Sequence, residues 1–134
     1  MEKFYVTWEE IEELVDLLAK QIAQSGYQIE YIFGLQRGGL IPAVLLSHKL
    51  GIPMTQELTR QNTLIVDDIC DSGETFKEFF LEYPHSIFAC LHFKPHTSCF
   101  KPEFSSNKFL SDAWIVYPWE RIDSKAIQDY KISI

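Results

Sequence analysis

The stretch Leu64-Ile65-Val66-Asp67-Asp68-Ile69-Cys70-Asp71-Ser72-Gly73-Glu74-Thr75 decides the reading of this chain. Its apolar opening, Leu64–Val66, predicts a buried strand. The strand delivers two adjacent carboxylates, Asp67 and Asp68, to the sheet edge. A polar turn with a glycine follows, and then Phe76, Phe79, Phe80 and Tyr83 share one face of a helix that Pro84 stops. A helix N-terminus offers unpaired N–H groups and a partial positive charge. Ser72 and Thr75 add hydroxyls there, and Gly73 lets the backbone approach a ligand closely. The unit reads as a phosphate cradle that needs no lysine. The acids beside it suit ribose hydroxyls or Mg²⁺, which both favour oxygen acceptors. Asp-Ser-Gly alone would be a capped helix after an ordinary turn. The acid pair changes that reading, because neighbouring carboxylates repel and need a compensating partner.

The same alternation of strand and helix recurs on both sides of this unit. On the N-terminal side, Thr7-Trp8-Glu9-Glu10 has capping-box spacing, and Trp8, Ile11, Leu14, Val15, Leu18 and Ile22 recur at helical spacing until Gly26. Tyr31–Leu35 predicts a buried strand, Gln36-Arg37-Gly38-Gly39 a turn. A second helix follows, with Pro42 in its first turn, Val44, Leu45, Leu46 and Leu50 inside, and Gly51 closing it. On the C-terminal side, Ile87–Phe93 predicts a strand, 94–111 a loop, and Ala113–Tyr117 a last strand broken by Pro118. A short helix or coil is expected from about Asp123. Apolar strands alternating with helices predict an α/β fold: one domain over residues 1–134, built on a mostly parallel sheet covered by helices on both faces. Ligands in such sheets bind at the carboxyl ends of the strands. Arg37, the Asp67–Asp68–Asp71 group and Lys94 all fall there.

Composition narrows the function. The 134 residues are 46% apolar and 23% charged, the balance of one folded domain. The net charge of −7, without a basic cluster, argues against a nucleic-acid partner. No apolar run reaches membrane-span length, and no signal-peptide core precedes the first helix, so no membrane partner and a cytoplasmic location are expected. Three cysteines make an odd, sparse set that suits a reducing compartment.

The Leu64–Thr75 unit resembles the signature by which type I phosphoribosyltransferases bind phosphoribosyl pyrophosphate (PRPP). Gln36-Arg37-Gly38-Gly39 resembles the pyrophosphate loop of that family. Phe93-Lys94-Pro95, Trp114-Ile115-Val116-Tyr117-Pro118-Trp119-Glu120 and the opening Tyr5-Val6-Thr7-Trp8 are similar to bacterial xanthine-guanine phosphoribosyltransferases, so the likeness spans Tyr5 to Glu120. It implies transfer of ribose 5-phosphate from PRPP to a 6-oxopurine (xanthine, guanine or hypoxanthine), with Mg²⁺ as cofactor and release of pyrophosphate. Asp71, Ser72, Gly73, Glu74 and Thr75 would hold the 5′-phosphate. Asp67 and Asp68 would face the ribose hydroxyls and Mg²⁺, directly or indirectly. Arg37 and Gly38 would meet pyrophosphate across a cis Gln36–Arg37 peptide, and Lys94, Trp114 and Ile115 would hold the base. Asp71 would also handle the proton at the base N7, which makes Asp71, Asp67 and Asp68 the catalytic set. A homo-oligomer is implied as well.

Plainer readings stand beside these. Lys94 before Pro95 suits a solvated loop lysine, Trp114 and Trp119 suit core or interface aromatics, and Arg37 suits a surface ion pair. The chain departs from the family in one place. Only Met54–Thr63 fills the stretch that usually forms strands and a closing loop, so a reduced hood and lid are expected, and with them slow turnover or a PRPP- or nucleotide-binding regulatory module. Cys90, His92, His96 and Cys99 carry zinc-ligating groups, in a spacing that matches no common zinc module.

Overall fold

The computed structural model describes residues 2–58 and 61–120; the segment expected from about Asp123 lies outside them. Helix α1 (Trp8–Gln24) starts on the capping box that its sequence predicts. The Thr7 side chain accepts from the Glu10 amide, and the Glu10 carboxylate accepts from the Thr7 amide. Ile11, Leu14, Val15, Leu18, Ala19 and Ile22 are its buried stripe. Trp8, expected to head that stripe, instead lies 56% exposed against Trp119. Helix α2 (Leu40–Leu50) buries Pro42, Ala43 and Leu46, ends on Gly51 at φ +66°, and leaves Val44, expected inside, exposed.

Strands β2 (Tyr31–Gly34), β3 (Thr63–Cys70), β4 (Ile87–Phe93) and β5 (Phe104–Lys108) pair in that order, all parallel. Two boundaries differ from expectation. Strand β3 does not stop at Val66. It continues through the acids, because β4 runs on beside it and pairs Asp67 with Cys90, Ile69 with His92 and Cys70 with Phe93. Strand β5 lies where a loop is expected. As an edge strand it buries only Phe104, and the polar residues Ser105–Lys108 carry no apolar pattern to reveal it. A further difference concerns the single sheet. Strand β6 (Trp114–Val116) pairs in parallel with a short β1 (Lys3–Tyr5) as a separate two-stranded sheet. The three residues of β1 are all exposed, so nothing in their pattern announces a strand.

Helices α1 and α2 cover one face of the main sheet over Leu64, Val66, Ala89 and Leu91. Helix α3 (Glu74–Glu82) covers the other through Phe76, with Leu35, Ile65, Phe88 and Cys90 beneath. Each fully buried Leu or Ile contributes about 1.5–3 kcal/mol, so the sheet is anchored on both sides. The functional consequence is geometric: parallel pairing brings the carboxyl ends of β2, β3 and β4 to one edge.

Candidate active site

The turn after β2 carries a cis Gln36–Arg37 peptide, as the resemblance implies. It leans on the acid end of β3. A Cβ on Gly38 would collide with the Asp68 carboxylate, so a larger residue here would have to displace that side chain. Asp67 and Asp68 are partly buried at that end, and the Asp68 amide donates to Asp67 Oδ1 at 2.8 Å. Burial, then the charge of Asp68, holds the Asp67 carboxyl well above the usual range. Burial pushes Asp68 up to about 6, and the charge of Glu120 adds to the rise. Adjacent carboxylates of this kind call for a cation. They are an all-oxygen donor set, the kind Mg²⁺ favours, though two carboxylates fill only part of its shell and leave the rest to ligand oxygens and water.

At the next turn, Gly73 stands at φ +80° as the N-cap of α3. Glu74 and Thr75, expected in the loop, form the first helical turn instead. The Glu74 amide donates to Ser72 Oγ at 3.3 Å. Together Asp71, Ser72, Gly73, Glu74 and Thr75 form a cradle of mostly small side chains at a positive helix end.

The third loop, after β4, is where sequence reading falls short. Lys94 is no solvated loop lysine: it is 5% exposed. Its Nζ donates to Ala113 O at 3.0 Å, lies 3.6 Å from Asp71 Oδ2, and sits 5.8 Å over the Phe109 ring. Thr97, absent from the sequence-based set, donates through Oγ1 to Asp71 Oδ1 at 2.8 Å. The Cys99 amide donates to Ser72 O at 2.7 Å, which ties this loop to the turn before α3. A threonine three residues past a lysine gives no signal by itself; the contact exists only because β3 and β4 end side by side. Ala113 leads into Trp114, partly buried, and Ile115, buried, so Lys94 links the cradle to the expected base-binding segment.

The four candidate zinc ligands are not brought together. His92 Nδ1 meets Tyr117 Oη at 2.8 Å, His96 meets Asp112 at 2.9 Å, and Cys90 is buried while Cys99 is exposed. Among the described residues no three His, Cys, Asp or Glu side chains cluster as a metal site.

No family model matches the chain. The crystal structure of a purine phosphoribosyltransferase from Pyrococcus horikoshii Ot3 superposes with a TM-score of 0.79 at 31% identity, covering 95% of this chain and 100% of that one. The chain belongs to the type I phosphoribosyltransferase family. This phosphoribosyltransferase is also 27% identical over 140 residues to the xanthine-guanine phosphoribosyltransferase of Gluconobacter oxydans (strain 621H), covering 86% of the chain and 83% of the relative. A hypothetical protein from Neisseria gonorrhoeae, solved with bound ppGpp, is similar with a TM-score of 0.75 and 25% identity over 91% of each chain.

Proposed function

We propose that the protein transfers ribose 5-phosphate from PRPP to a 6-oxopurine base and releases pyrophosphate. The observation that carries this reading is the Lys94–Asp71 pair, 3.6 Å apart beside the phosphate cradle. A free 6-oxopurine in its N7–H form presents a donor, N7–H, next to an acceptor, O6. The pair offers the complement: a carboxylate acceptor and an ammonium donor. Lys94 spends one of its three N–H groups on Ala113 O and has others for O6.

In this reading the 5′-phosphate lies in the Asp71–Thr75 cradle, and Asp67 and Asp68 face the ribose hydroxyls. Arg37 and Gly38 meet pyrophosphate, and Trp114 and Ile115 line the base. Asp67 and Asp68 would also hold Mg²⁺, directly or through water; when bound, the ion supplies charge neutralisation for the leaving pyrophosphate. The base N9 lone pair forms the new bond to the anomeric carbon as the carbon–oxygen bond to pyrophosphate breaks. The electron pair leaves with pyrophosphate, and the N7 proton passes to the Asp71 carboxylate. The protein's work is positioning and electrostatics.

Residues 1–134 are taken as one catalytic domain, which the shared core of the described residues supports. A homo-oligomer is supported by exposed Phe4, Tyr5, Trp8 and Leu110, and a cytoplasmic location by three free cysteines. No described helix is long and apolar enough to cross a membrane. The test is incubation with PRPP, Mg²⁺ and each of guanine, xanthine, hypoxanthine and adenine. Nucleotide and pyrophosphate from an oxopurine are expected, and product from adenine alone, or none, overturns the reading. The similarity to a ppGpp-bound protein supports a second reading, a regulatory site for a guanine nucleotide; calorimetry with ppGpp tests it.

A further inference from the structure

Two side chains outside the site just described, Tyr117 and His92, form a buried chain that ends on it. Tyr117 is 2% exposed and His92 3% exposed. Tyr117 Oη lies 3.1 Å from Asp68 O and 2.8 Å from His92 Nδ1. A backbone carbonyl only accepts, so the single hydroxyl proton goes to Asp68 O. His92 must then donate from Nδ1 to the tyrosine oxygen, which fixes its tautomer. The tyrosine ring is held flat against Trp119, with centroids 4.9 Å apart and planes within 1°. Its own amide donates to Glu120 Oε1 at 2.8 Å. The His92 ring stands edge-on to Phe109, the same ring that lies under Lys94.

We infer that Tyr117 and His92 are positioning residues for the transfer reaction: their hydrogen-bonded chain locks the Asp68 end of β3 to the segment that carries Trp114 and Ile115. The inference rests on the proposed reaction, because it gives the acids the ribose side and that segment the base side. The two sides sit on different sheets. Strand β3 belongs to the four-stranded sheet and β6 to the two-stranded one. Tyr117, one residue past β6, bridges them at a single carbonyl. Transfer depends on the spacing between the anomeric carbon and the base nitrogen, and a misplacement of about 1 Å costs on the order of 100-fold in rate. In a dry interior, a fully satisfied polar chain fixes one arrangement, whereas a broken one leaves an unpaired carbonyl.

The test compares Tyr117→Phe, His92→Leu and His92→Asn in the full chain, at a temperature where all are folded. Tyr117→Phe keeps the ring stack and removes only the hydroxyl. Asn places an amide donor where Nδ1 stood. The expected result for Tyr117→Phe and His92→Leu is a fall in kcat of about tenfold with KM for PRPP and base within about twofold. His92→Asn should recover most of the loss, and Tyr117→Phe/His92→Leu should be no worse than Tyr117→Phe alone. A kcat within about twofold of wild type for Tyr117→Phe, or fully additive losses, overturns the inference. Nitrogen–proton correlation spectra provide a readout independent of turnover. The Ile69 amide, in the peptide that carries Asp68 O, should shift in Tyr117→Phe and His92→Leu and return in His92→Asn; an unmoved Ile69 signal overturns the inference even if His92→Leu fails to fold. Wild-type protein that forms no nucleotide overturns the proposed reaction instead and leaves the chain to be judged on those spectra.

Discussion

Lys94 Nζ stands 3.6 Å from Asp71 Oδ2 and donates to Ala113 O at 3.0 Å, so one buried ammonium joins the phosphate cradle to the approach of β6. In the proposed reaction the lysine has two duties: it neutralises Asp71 and it would point a donor at the base O6. Replacing it should separate base recognition from PRPP binding. For Lys94→Gln, kcat/KM for guanine or hypoxanthine should fall about tenfold to a hundredfold, the range for hydrogen bonds to charged groups. PRPP affinity by calorimetry should fall less, since there only the neutralisation of Asp71 is lost. Adenine should be the worst purine for the wild type, because its 6-amino donor would face the ammonium donor. Equal use of adenine would show that Lys94 does not read O6.

Thr97 bears on the same carboxylate. Its hydroxyl occupies Asp71 Oδ1 at 2.8 Å and leaves Oδ2 toward Lys94. Thr97→Val keeps the shape and removes the donor. The expected loss in kcat/KM for the base is about threefold to tenfold, the worth of one hydrogen bond of roughly 1 kcal/mol. Thr97→Ser should restore it, and KM for PRPP should stay put in both. Equal kinetics for Val and Ser variants would remove Thr97 from the site.

How much of this is legible in the sequence follows from the kind of signal each element sends. Strands β3 and β4 are internal and apolar, and β2, at the sheet edge, is apolar as well, so their existence is plain from Leu64–Val66, Ile87–Phe93 and Tyr31–Leu35. The acids at the end of β3 are legible because Asp-Asp followed by a small polar turn has few structural uses. Strands β1 and β5 are not, since they lie at edges or in a separate pair and carry exposed or polar residues. The length of β3 is hidden for a related reason: carboxylates look like the end of a strand until β4 supplies partners out to Phe93. Thr97, Tyr117 and the role of His92 need the fold, because each acts through a contact between segments at least 25 residues apart.

The acid pair should make the ligand-free protein less stable as pH rises. An unfolded Asp ionises near 3.8, whereas folded Asp68 ionises near about 6. Below 3.8 both states hold the proton and the burial of this carboxyl has no ionic cost. Between 3.8 and about 6 the unfolded state loses its proton first, so stability falls, and above 6 the full cost remains. Asp68→Asn should remove that slope and stabilise the ligand-free protein at pH 7 by about 1–3 kcal/mol. The same variant should weaken PRPP binding in the presence of Mg²⁺. Denaturant titrations at pH 4 and pH 7 decide the first point, and an Asn variant less stable than wild type at pH 7 would contradict it.

Gly73 tests the cradle from its backbone. It sits at φ +80°, and an added Cβ would collide with Ser98 Oγ and come within 2.8 Å of the Phe100 amide nitrogen. Gly73→Ala should therefore cost about 1–2 kcal/mol in backbone strain alone and push the 98–100 segment away. Binding of PRPP should suffer more than binding of the free base. A variant with unchanged melting temperature and PRPP affinity would show that this turn does not need its glycine.

The shortened Met54–Thr63 segment sets the last expectation. Its two ends serve the sheet: Met54 bridges to Ile32, the Thr55 amide donates to Ile32 O at 2.9 Å, and Asn62 O accepts from the Glu30 amide at 2.9 Å. The 94–111 segment offers no free substitute either, since its first turn is tied to Asp71 and Ser72 and residues 104–108 form β5. A lid keeps water from an oxocarbenium-like centre. With the ends of 54–63 tied to the sheet and 94–111 tied to Asp71, Ser72 and β5, water should compete with the base, and PRPP should be hydrolysed in part without nucleotide formation. The 5′-phosphate cradle is untouched by this, so PRPP should still bind. Pyrophosphate and nucleotide measured side by side, with and without guanine, separate the outcomes. Pyrophosphate in excess of nucleotide, and released without base, is the expected result. Binding without either product would favour the regulatory reading. Fast formation of the two products in equal amounts would show that the site closes by other means, such as cover from a second copy of the chain, and dilution should then lower the rate per subunit.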